Sequence, residues 1–122
     1  MINIQPEQMQ ALTQTLVDQF KKDMAKRLKA KFPGKNAGKD DASLMQEVEQ
    51  GLSDAESFGI KSQRDQARFL ELRQQLGDDF LDNPRTNWSR QILENRRRPA
   101  RKRLRAVFAQ AFFKLIVKKL VP

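Results

Sequence analysis

Residues 95 to 106, NRRRPARKRLRA, hold seven of the chain's 24 basic side chains in twelve positions. Guanidinium and ammonium groups at that density can neutralise phosphates and release their counterions, or pair with the carboxylates of an acidic partner. Little else in the chain reacts. Histidine, cysteine and tyrosine are absent and there are five serines. The commonest general base, the commonest neutral metal ligand, the thiolate and the phenol are therefore missing, and no catalytic role, cofactor or metal is expected.

Three other groupings call for a reading. Asp78, Asp79 and Asp82 in DDFLD present oxygen ligands, but without the ligand spacing and glycine of a calcium loop, so turn chemistry and a cap before Pro84 are the preferred account. Glu47, Glu49, Asp54 and Glu56 have no apolar or basic neighbours that would shift a carboxylate, and read as a solvated helix face. Trp88, the one tryptophan, and Met9, Met24 and Met45 fall at helical spacing and read as core.

The basic run is part of a larger polarity. Up to Pro84 there are 12 basic and 14 acidic residues, a balance of −2; from Arg85 on there are 12 basic and one acidic, a balance of +11, which together make the net +9. Charge separated in this way within 122 residues marks an interaction surface.

The elements that must carry that surface are all helical. Pro6 suits a first helical position, and Met9, Leu12, Leu16, Phe20, Met24, Leu28 and Phe32 continue one apolar stripe at spacings of three and four. FPGKNAGKDD reads as a loop or mobile connection. Asp40 or Asp41 caps a second helix with Leu44, Val48, Leu52 and Ala55 on one face, ending at Gly59 with Ile60 as an apolar clamp. Ser62 and Asp65 open a third in capping-box spacing, stopped by Gly77. Asp82 or Asn83 precedes Pro84 in a short fourth helix presenting Trp88, Ile92 and Leu93, and Pro99 opens a fifth to about Leu120.

No stretch alternates in period two. The expected fold is therefore all-α, a small single-domain irregular bundle of about five helices over residues 1–122. Its last helix is apolar nearly all round, with only a strip near Arg103, Gln110, Lys114 and Lys118 left polar. A domain of this size covers one or two sides of such a helix, which leaves the rest to a second copy or a different protein. VFAQAFFKLIV is too short and interrupted to span a bilayer, and MINIQPEQMQ lacks signal-peptide regions, so a cytoplasmic protein is expected.

The segment FGIKSQRDQARFLELRQQLGDDFLDNPRTNWSRQIL resembles small uncharacterised helical proteins encoded beside spike and toxin genes of bacterial type VI secretion systems. That group shows a YGI, two residues, RD turn, an aromatic-rich helix, then LG, two residues, F, a DP, and W, three residues, IL. Phe58, Gly59, Ile60, Arg64, Asp65, Phe69 and Leu76 fill the first part of the pattern, and Gly77, Phe80, Asn83, Pro84, Trp88, Ile92 and Leu93 the second. The opening is similar too, with Pro6 to Met9 and Leu12 leading a long helix that ends in Phe32 and Pro33. Gln63 and Gln66 depart from the acidic and aliphatic residues of the pattern, and the Arg-rich connection and the apolar last helix are peculiar to this sequence.

The shared residues are mostly caps and core, so they mark a fold more than an activity. What the resemblance implies is an accessory protein working beside a secreted toxin, exported with the spike or kept in the cytoplasm. On that reading Arg96, Arg97, Arg98, Arg101, Lys102, Arg103 and Arg105 steer an acidic partner, and Val107, Phe108, Phe112, Phe113 and Ile116 supply buried area. The leading expectation is an adaptor or chaperone-like protein for an effector or spike component. The alternatives are an immunity protein against a toxin acting in the cytoplasm and a nucleic-acid binder using the arginine segment, the latter disfavoured because the phenylalanines fall at core spacing.

Overall fold

The computed structural model describes the backbone of residues 5–120 and the side chains of residues 5–114. Among them are six helices and no strand: α1 (Pro6–Lys31), α2 (Pro33–Asn36), α3 (Asp41–Ser57), α4 (Gln63–Leu76), α5 (Trp88–Glu94) and α6 (Ala100–Leu120). The fold is all-α with a long N-terminal helix. By packing, the chain divides into two compact units, Met1–Glu49 and Gln50–Pro122.

In the first unit Met24 and Leu28 of α1 and Leu44 and Val48 of α3 are buried. The apolar stripe of α1 is covered only at that end. Met9, Leu12, Leu16 and Val17 are exposed, which corrects the reading of Met9 as core. The reason is length: 26 residues of helix extend about 39 Å, and a one-turn α2 with nine residues of α3 cannot cover them. Residues 32–41 are built rather than loose. Asn36 is buried, and its Nδ2 donates to the carbonyls of Leu28 at 3.1 Å and Phe32 at 3.0 Å, a second donor to oxygens that already accept the Phe32 and Asn36 N–H groups at the end of α1. Asp40 is the cap of α3, accepting from the Ser43 N–H at 2.8 Å. Lys39 holds Glu47 at 2.8 Å and Lys21 approaches Glu49 to 3.6 Å.

The second unit is built around Phe58, Ile60, Phe69, Leu72, Phe80, Leu93, Leu104 and Val107. The rings of Phe58, Phe69 and Phe80 lie 6.2 and 5.7 Å apart in tilted pairs. Gly59 (φ 74°) ends α3 in a left-handed turn: its N–H donates to Glu56 and that of the buried Ile60 to Ala55, a Schellman pair with its apolar clamp. Ser62 caps α4, its hydroxyl accepting from the Asp65 N–H at 3.1 Å.

Residues 77–87 form successive turns instead of carrying a helix from Pro84, and α5 starts at Trp88. Side chains hold the turns open. Thr86 Oγ1 donates to Phe80 O, Arg90 Nε to Leu81 O, and Asn83 Oδ1 accepts from the Arg85 N–H, each competing with helical backbone pairing. Trp88 is half-buried against the core, donates to Arg85 O at 3.1 Å, and has the Lys114 ammonium 5.1 Å from its ring centroid.

Candidate docking surface

The basic segment does two different jobs. Arg103, expected on the polar strip and in the partner surface, is 4% exposed. Its Nε donates to Arg98 O at 2.9 Å and its Nη1 to Phe58 O at 2.9 Å and Leu93 O at 2.6 Å. The Phe58 and Leu93 carbonyls follow or end α3 and α5, where helices leave oxygens unpaired and the dipole is negative, so a guanidinium fork suits them, while the Arg98 carbonyl lies just before α6. Burial, and then the charge of Arg96, lower the Arg103 pKa from its ordinary value. Arg96, although exposed, works similarly through Nη2 to Ser57 O at 2.6 Å. Val107 is fully buried in the core. Arg103 and Val107, expected on the partner surface, thus lie inside the unit.

Arg97, Arg98, Arg101, Lys102 and Arg105 are exposed, as are Phe112 and Phe113, and Phe108 is half-buried against the core. The side chain of Ile116 lies outside the described residues. Arg101 and Arg105 stand one turn apart on α6 and face Arg64 and Arg68, one turn apart on α4, across a recess of about 110 Å³ floored by Leu104 and Phe108. Asp65 is the one acid in its lining. None of these four arginine side chains pairs or hydrogen-bonds with another described residue. Arg64 and Arg68 escape a reading focused on the basic run, yet their signal is in the sequence: arginine pairs at i, i+4 on two helices.

A second, more open hollow continues from the first. Phe108 lines both, and Gln75, Leu76, Ala111 and Phe112 complete the second. Since 64 and 68 face 101–108, and 75 and 76 face 108–112, α4 and α6 run side by side in the same direction. The groove between them changes from cationic to apolar along its length. No family model, no curated protein and no solved structure matches the chain.

The three aspartates of DDFLD are engaged locally. Asp82 meets Arg90 at 2.8 Å, Asp79 accepts from Asn83 at 3.2 Å, and Asp78 is 4.0 Å from Arg73. Among the described residues no three His, Cys, Asp or Glu side chains come together to hold a metal, and no helix is long and apolar enough to cross a membrane.

Proposed function

We propose that the protein is a non-catalytic binding protein that holds another protein against α6. The observation that carries this reading is the pair Phe112 and Phe113, 65% and 66% exposed, about two to three turns beyond exposed arginines on the same helix. Adjacent large apolar side chains left in water beside charge have the make-up of an interface: an apolar centre and a polar rim. On the strength of the resemblance, the partner is a toxin or spike component of a type VI secretion system, and the protein acts as its adaptor or chaperone.

The test is capture by the tagged protein from a type VI-active bacterium after nuclease treatment, with wild type beside Phe112→Ser/Phe113→Ser. The reading expects a toxin or spike protein with the wild type and its loss with the variant, with unchanged helicity. Identical eluates from the two would remove it. Growth rescue of cells expressing the captured toxin would make the same contact one of immunity.

A further inference from the structure

We infer that the α4/α6 groove receives an acidic segment of the partner, with its carboxylates in the arginine recess and a large apolar side chain on the hollow beyond Phe108. The inference rests on the protein-binding reading above and specifies the partner's chemistry. Charge complementarity carries it. Four arginines and a single acid, Asp65, line the recess, and none of the arginines has an ion pair or hydrogen bond among the described residues. Each repels the others, and the cationic group sits beside the starts of α4 and α6, whose dipoles add positive potential. A ligand with several carboxylates relieves that repulsion, and a planar guanidinium pairs with a carboxylate through two parallel hydrogen bonds.

The second half of the groove decides between kinds of polyanion. A nucleic-acid backbone carries a phosphate on every nucleotide, so a groove that tracks it stays basic. This one turns apolar at Phe108 and continues through Leu76, Ala111 and Phe112. From Arg105 to Phe112 is seven residues of helix, or about 10 Å. A segment that fits has acidic residues at one end and leucine or phenylalanine about two helical turns away, laid in the groove as an amphipathic helix lays its face between two others.

The probe is a fluorescein-labelled helical peptide with glutamates one turn apart in its first two turns and leucine and phenylalanine in the next two, titrated with the full-length protein. Three controls accompany it: the same composition with acidic and apolar residues interspersed, the same peptide with glutamine for glutamate, and a single-stranded oligodeoxythymidine. The segregated peptide is expected to bind about tenfold more tightly than either peptide control. Arg68→Gln/Arg105→Gln, two exposed positions, is expected to remove that advantage with unchanged circular dichroism, and Phe112→Ser to weaken binding a few-fold.

Equal binding of segregated and interspersed peptides, equal binding by wild type and the arginine variant, or tighter, competing binding of the oligonucleotide would each overturn the inference. Capture keeps its failure apart from that of the broader reading. If the arginine variant captures the partner like wild type while Phe112→Ser/Phe113→Ser does not, the groove inference falls and the protein-binding reading stands.

Discussion

The two long helices, α1 and α6, are each anchored at one end and exposed at described residues beyond it, 6–19 of α1 and 112–114 of α6. α1 is held at its C-terminal end by Met24, Leu28 and the carbonyl contacts of Asn36; α6 is held at its N-terminal end by Leu104, Val107 and the carbonyl contacts of Arg103. In both, a buried polar side chain donates to backbone carbonyls near helix ends. These exposed stretches differ. Residues 6–19 of α1 contain no basic residue around Met9, Leu12, Leu16 and Val17, whereas Phe112 and Phe113 of α6 lie beyond an arginine-lined recess. An apolar face alone says that something is missing; an apolar face joined to unpaired charge also says what kind of thing it is.

The comparison breaks most sharply at Arg103. Arg103→Met fills part of the volume and abolishes the cost of burying a cation, but leaves three carbonyls without their donor. We expect a net loss of about 3 kcal/mol from the stability of the second unit, measured by urea unfolding. Arg101→Met, two residues earlier and exposed, should change it by less than about 0.5 kcal/mol. Equal effects at the two positions would mean that the arginines are interchangeable and that Arg103 is no anchor.

Asn36 is the corresponding test on α1. Its neutral amide donates to two carbonyls at one helix end, so Asn36→Ala should cost about 1–2 kcal/mol, less than the loss at Arg103. An undiminished midpoint would show that water replaces the amide there, and that the two anchors are unlike.

These two residues also mark where sequence reasoning stops. The local signals work: Gly59 with Ile60, the Ser62 cap and the glycine stop at Gly77 all sit where their types predict, because each depends on neighbours within a turn. Arg103 depends on Phe58, 45 positions away, and its type argues for solvent until those carbonyls are brought together. Periodicity places Met9 through Leu28 on one face of α1 but is silent on how far the rest of the chain reaches along it. Pro84 is a legitimate helix opener, overridden by Thr86, Arg90 and Asn83 bonding to the backbone around it. The arginine recess stands between these cases: the i, i+4 pairs are legible, and that they face each other is not.

A smaller effect separates the units by pH. The Asp40 pKa is lowered from its ordinary 3.8 by the hydrogen bond from the Ser43 backbone N–H and then by the Ser43 side chain. A depressed carboxylate pKa means that the contribution is present above the unfolded value and is lost as pH falls through the folded one. Below about pH 4 the first unit should therefore lose stability that Asp40→Asn, which keeps a capping oxygen without a titrating group, does not lose. Coincident pH profiles for wild type and variant would leave the cap without a role in acid sensitivity.

The smallest effect is expected at the free half of α1. Leu12→Gln and Leu16→Gln exchange exposed apolar side chains for others with good helix propensity, so each should alter stability by less than about 0.5 kcal/mol. Leu28→Ala, on the same stripe but buried, should cost about 2–5 kcal/mol. The informative deviation is a larger loss at Leu12 and Leu16 that grows with protein concentration. Stability that depends on concentration comes from association, so a second copy would then cover the stripe, and the exposed half of α1, which carries Glu7 and Asp18 but no basic residue, would be matched to itself, where α6 is proposed to meet an acidic partner.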